Sequence, residues 1–122
     1  MPKLTPAEIN ALTPAELNQA VAIADGWTTY REKHGGWSVQ VWKHPSAPVR
    51  QENMPDYTSG ALLDRIAREA HIEVCIDYER DTGDYNPFWI AYRGGNHDVS
   101  FQSESLTTAI QRAYLYYKQE SK

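Results

Sequence analysis

Two runs of alternating polarity, HIEVCIDY at 71–78 and FWIAYR at 88–93, restrict this chain more than any other stretch. A period of two is the signature of a β-strand, because successive side chains leave opposite faces of the backbone. In the first run Ile72, Val74, Ile76 and Tyr78 take one face, while Glu73, Cys75 and Asp77 take the other. The second run is apolar on both faces, with Phe88, Ile90 and Tyr92 opposing Trp89, Ala91 and Arg93. That pattern predicts a sheet covered on both sides. Between the runs, the acidic stretch Glu79 to Pro87 reads as a turn-rich loop, and Gly94-Gly95-Asn96 reads as a tight turn into a third strand, His97 to Phe101.

Helical patterns lie on either side of this meander. The motif Leu-Thr-Pro-Ala-Glu occurs at 4–8 and again at 12–16. Each copy holds a Thr cap, a Pro at the first helical position and a Glu placed to complete a capping box. An eight-residue period is too short for a repeat unit, so the motifs predict a single turn at 6–10 and a helix at 14–25. Leu17, Ala20, Val21 and Ala24 form its apolar stripe, and Gly26 its stop. The run Trp27 to His34 is polar and aromatic without a clear period. After Gly35-Gly36, Trp37, Val39 and Val41 share one face of a strand at 37–42. Pro45, Pro48 and Pro55 then mark the longest irregular connection. A second helix is predicted from Thr58 or Ser59 to Ala70, with Leu62, Leu63, Ile66, Ala67 and Ala70 inward. The last helix, about 105–119 and capped by Ser103 or Ser105, has the strongest helical period. Leu106, Ala109, Ile110, Ala113, Tyr114 and Tyr117 form its stripe, and Tyr116 falls off it, as an exposed ring.

Size and charge narrow the class. At 122 residues the chain fits one domain with a core of its own. Its net charge of −4 and the absence of any Lys/Arg run argue against direct nucleic-acid binding. One cysteine cannot form an internal disulfide, the N-terminus has no apolar signal core, and no stretch approaches the roughly 18 apolar residues of a membrane span. The expectation is a cytoplasmic protein without contact to membrane.

The chemistry-bearing residues give little purchase for catalysis. In the acidic stretch from Asp77 the glycine stands at the seventh position and Phe88 at the twelfth, so a calcium loop of the EF-hand kind is excluded. His34, His44, His71 and His97 include no pair at zinc spacing, and Cys75 has no second thiol. His71 reads as a helix cap, Cys75 as core packing, and His97-Asp98 as a turn. No serine sits in a G-x-S-x-G elbow, and Gly94 to His97 opens no helix that would cradle a phosphate. No cofactor or metal is implied. What stands out is aromatic content: eight Tyr and four Trp against two Phe, rings with a polar tip that suit a surface or an interface.

Taken in order, Glu16-Leu17, Ala20-Val21-Ala22, Gly26-Trp27, Tyr57-Thr58-Ser59, Trp89-x-Ala91 and Thr108-Ala109-Ile110-x-Arg112-Ala113 resemble the phage ABA-sandwich domain family, which includes NinX-like phage proteins of unknown function. The resemblance implies a small bacteriophage or prophage protein of α+β class: a three-layer α/β/α sandwich with a central, mainly antiparallel sheet of about four strands and three helices. The family's Tyr-Ser-Thr-Asp at the second helix is Tyr57-Thr58-Ser59-Gly60 here, so its acid is missing. The expected function is that of a non-enzymatic accessory protein that binds a host or phage protein, a host factor or defence component, with Tyr116 and Trp42 in the contact. The alternative is a small-ligand or nucleotide binder, or a minor enzyme, with a pocket between the sheet and the 45–55 loop, lined by Trp42, Tyr57 and His97. The strand at 37–42, if it lies at a sheet edge, offers a route to homo-oligomers.

Overall fold

The computed structural model describes residues 3–47, 49–58, 60–81 and 84–120; of residues 78–81, 84–86 and 96–98 it describes the backbone alone. Both Thr-Pro motifs start helices, α1 (Pro6–Ala11) and α2 (Pro14–Ala24). In each, the Thr hydroxyl accepts from the Glu backbone N–H while the Glu carboxylate accepts from the Thr backbone N–H, so the two capping boxes are complete. These hydrogen bonds, the Thr13 backbone N–H foremost, hold the Glu16 carboxyl below its ordinary range.

The polar stretch after Gly26 is a strand. β1 (Thr28–His34) pairs antiparallel with β2 (Trp37–Lys43) in a hairpin running from Thr28 opposite Lys43 to His34 opposite Trp37. Burial along β2 falls off from base to tip: Val41 and Trp42 are in the interior, Val39 is half-buried, and Trp37 is exposed. The other backbone side of β2 is engaged at Trp42, which exchanges two hydrogen bonds with Gln51 (2.7 and 2.9 Å), so the edge expected to be open is taken at that point.

After the 44–57 connection comes α3 (Gly60–Glu69). Ser59, a predicted cap, lies outside the described residues, and the Thr58 hydroxyl is turned instead to the Asp56 carboxylate. That bond and the one from the Thr58 backbone lower the Asp56 pKa. His71 ends the helix through its backbone, with φ 55°, a left-handed value uncommon outside glycine.

The meander follows. β3 (Ile72–Asp81), β4 (Asp84–Arg93) and β5 (Asn96–Ser103) form a second antiparallel sheet in the order β3-β4-β5. The stretch expected to be an acidic loop is ladder for nearly its whole length: Tyr78 to Asp81 pair with Pro87 to Asp84. Only residues 82 and 83 separate the strands, and they lie outside the described residues, as do the side chains of 78–86 on which the calcium question turned.

Helix α4 (Leu106–Glu120), capped by the Ser105 hydroxyl accepting from Thr108 N–H at 3.3 Å, touches the three other helices and all three strands of the meander. The predicted stripe is only part of its buried surface. Gln111 and Leu115 are buried as well, while Leu106 is partly exposed, so α4 is covered nearly all round, as a central helix is. It lies between the sheet and α2. The core accordingly forms on the sheet face that carries Ala91 and Phe101, together with Ile66, Tyr114 and Tyr117.

The α+β class and antiparallel pairing agree with expectation. The count differs: five strands in two sheets and four helices among the described residues, rather than about four strands in one sheet and three helices. Cys75 also departs from its predicted packing role. It is exposed, because it shares the face of Glu73 and Asp77, away from the core face of Ala91. No described helix is long and apolar enough to cross a membrane.

Candidate functional site

Asp25, the C-cap residue of α2, holds the densest polar cluster of the described structure. A carboxylate at a helix C-terminus faces the negative end of the helix dipole, an unfavourable place unless something offsets it. Here Arg65 of α3 does so, reaching both oxygens, with Nη1 donating to Oδ1 at 3.2 Å and Nη2 to Oδ2. The Tyr57 hydroxyl donates to Oδ2, and the Tyr114 hydroxyl of α4 donates to Oδ1 at 3.3 Å. Two carboxylate oxygens offer about four lone-pair directions, and four donors fill them.

The surrounding groups are equally committed. Trp27 Nε1–H donates to the Tyr57 oxygen at 3.0 Å. Tyr57 is fully buried; its backbone N–H donates to Asn18 (2.8 Å), and its carbonyl accepts from Gln111 (3.0 Å). Asn18 in turn donates to the Pro55 carbonyl at 2.8 Å. His44 Nδ1 accepts from Ser46 N–H (3.0 Å), which leaves the ring proton on Nε2 to donate to the Asp25 carbonyl at 2.8 Å. Burial, and next the carboxylate of Asp25, pushes the Tyr57 and Tyr114 hydroxyls well above the ordinary phenol range. The bond to Asp25 holds the Arg65 guanidinium more firmly charged than usual, with Glu69 adding to it.

Chemically this is a joint. A general base needs a free lone pair within reach of a substrate proton. Asp25, with its side chain 6% exposed and four donors on it, has none to give. The cluster ties α2, α3, α4 and the segment before α3 to one point. The sequence held one signal for it: an acid at a helix end where the dipole opposes it, followed by a glycine stop.

The residues singled out from sequence scatter. Trp42 is interior, 3% exposed, and Tyr57 belongs to the Asp25 cluster, so neither presents a surface to a ligand. His97 lies on β5 by its backbone, and its side chain lies outside the described residues. Tyr116 is half-buried rather than exposed, because its ring packs against Phe101 (centroids 5.7 Å apart) and edge-on to Tyr117 (5.1 Å). A cleft of about 700 Å³ lies between α2 and α4, with Leu4, Ala20, Ile23 and Leu115 on its walls beside Lys3 and Lys118; Trp42 and Tyr57 do not line it. Among the described residues no three His, Cys, Asp or Glu side chains converge as metal ligands would.

Among the described residues, the exposed aromatic rings lie on the β1–β2 hairpin. Trp37 is 63% exposed and Tyr30 43%, both on the strand face that also carries Glu32, His34 and Val39. The His34 ring stacks on the Trp37 indole, centroids 5.0 Å apart and planes within 18°. His34 Nε2 lies 2.9 Å from Glu32, which also accepts from Arg50 at 2.7 Å. A chain of contacts thus steadies the indole from the 44–57 segment outward. The tip stands clear of the core: residues 35–38 are exposed, and nothing lies within 4 Å of where Gly35 or Gly36 would carry a Cβ. No protein-family profile, curated protein or solved structure matches this chain.

Proposed function

We propose that this chain is a non-catalytic accessory protein of the bacteriophage kind its sequence resembles, acting in the bacterial cytoplasm by binding a host or phage protein through the β1–β2 hairpin. One observation carries the reading: a Trp that is 63% exposed, held by a stacked His at the tip of a hairpin that stands clear of the core. A large exposed indole costs free energy in water, and Trp is the residue most enriched at binding hot spots. Holding it in place before contact reduces the ordering entropy of association. The Asp25 cluster supports the same reading from the other side, since its polar groups are spent on one another.

The three-layer sandwich belongs to this proposal. Helix α4 covers one sheet face, and on the other face Phe88, Ile90 and Tyr92 are partly buried. Self-association through the β3 edge is disfavoured, because antiparallel pairing of two copies about Cys75 would set Glu73 against Asp77.

The test is capture from bacterial lysate on tagged protein, comparing wild type with Trp37→Ala and with Tyr116→Ala. A partner retained by wild type and by Tyr116→Ala but lost with Trp37→Ala supports the reading. No retained partner, or equal retention by all three, overturns it.

A further inference from the structure

We infer that the hairpin's partner presents an acidic, concave protein surface, an inference that rests on the protein-binding role proposed above. The whole-chain charge of −4 conceals two unequal parts. From Gly26 to Gln51 the chain carries Arg31, Lys33, Lys43 and Arg50 against Glu32 alone, a local excess of +3, so the remainder carries −7. Of these cations, Arg31 and Lys33 are exposed beside the tip, on the strand face opposite Trp37. The indole therefore occupies one side of the finger and two cations the other.

That shape decides the class of partner. Single-stranded nucleic acid is bound in grooves where aromatic rings and cations line one surface. Here ring and charge point to opposite sides of a two-stranded projection, an arrangement that suits insertion into a cleft touching both faces. The −7 on the rest of the molecule also opposes a phosphate backbone, whereas a folded partner with a local acidic rim meets only the hairpin. Trp37 supplies the buried anchor, Arg31 and Lys33 the flanking charge, and Arg50 is occupied by Glu32 at 2.7 Å.

The experiment is a titration of ¹⁵N-labelled full chain with three probes: a Glu/Asp-rich peptide carrying one Tyr, oligo-dT and poly-lysine. The peptide is expected to shift the Trp37 indole N–H and the amides of β1 and β2, and the Arg31→Glu, Lys33→Glu double variant to weaken this about tenfold while melting like wild type. Added salt should weaken it as well. The inference is overturned if oligo-dT or poly-lysine moves the hairpin signals and the peptide does not, if the shifts lie elsewhere, or if the double variant binds the peptide equally. Trp37-dependent capture from lysate together with a silent peptide titration would leave the protein-binding role standing and sink the acidic partner.

Discussion

Replacing Asp25 with Ala removes one carboxylate and leaves four donors without their acceptor. The two phenols are interior and cannot turn to water, so each forfeits a hydrogen bond to a charged group and stays buried, at about 1–3 kcal/mol apiece. Arg65 is different. Its side chain is 42% exposed and keeps Glu69 at 2.9 Å, so solvent screens its share and little is added for it. Against the loss stands relief of a carboxylate at the negative end of α2, worth about 0.3–1 kcal/mol. The net is about 3 kcal/mol, which in a domain of this size lowers the melting temperature by about 12 °C. Urea unfolding followed by far-UV circular dichroism measures it. Asp25→Asn should behave similarly, because its amide brings donors into a site already full of them. A loss under about 1 kcal/mol would refute the joint. A gain in stability would refute it more sharply, since that is how a strained functional group behaves when removed.

Two further outcomes follow from the same cluster. Because the Tyr57 and Tyr114 hydroxyls are raised in the folded state, it retains protons that the unfolded chain gives up. Their stabilisation is complete below the ordinary phenol value of about 10 and is lost as pH rises above it, by up to about 1.4 kcal/mol per pH unit for each group. Urea midpoints recorded across that range should fall steeply in wild type and less in Tyr114→Phe; equal slopes would contradict the assignment. Gly26→Ala should cost about 2 kcal/mol or more, since φ is +104° and the new Cβ would sit 3.0 Å from His44 Nε2, the atom bonded to Asp25. Gly35→Ala, with φ +65° and open space around it, should cost only about 1–2 kcal/mol, and the two urea curves compared directly check the difference.

How far the sequence reached can be judged from particular elements. The Thr-Pro-x-Glu motifs, the meander alternation and the final helix were legible because each depends on local chemistry: caps, periods of two and of 3.6, and turns. β1 was not. TTYREKH has no apolar alternation, and it is a strand because Trp37–Lys43, beyond the Gly35-Gly36 turn, offers it a ladder. The acidic stretch misled for the opposite reason, as its turn-forming residues were outweighed by continued pairing. The site was less legible still. Trp37 and Val41 share a face, and nothing in their spacing says that one is buried and the other 63% exposed; that follows from where the hairpin leaves the core. Asn18, Gln111 and Asp25 look like solvated helix polar residues until the segment before α3 and Arg65 fold onto them.

Helix α4 comes after every element it packs against. A nascent chain that has emerged only as far as β5 has its capping boxes, its hairpin and its meander, yet the apolar faces of α2, α3 and the sheet have no common neighbour. Tyr114, one of the donors to Asp25, has not yet emerged. Local pieces can form in sequence order, but the long-range contacts arrive together and late, when fifteen residues slot between partners already waiting. During that interval the exposed sheet is what a growing chain must keep from its neighbours. The charged pair Glu73 and Asp77 on the β3 edge guards it then, before there is a core to do so.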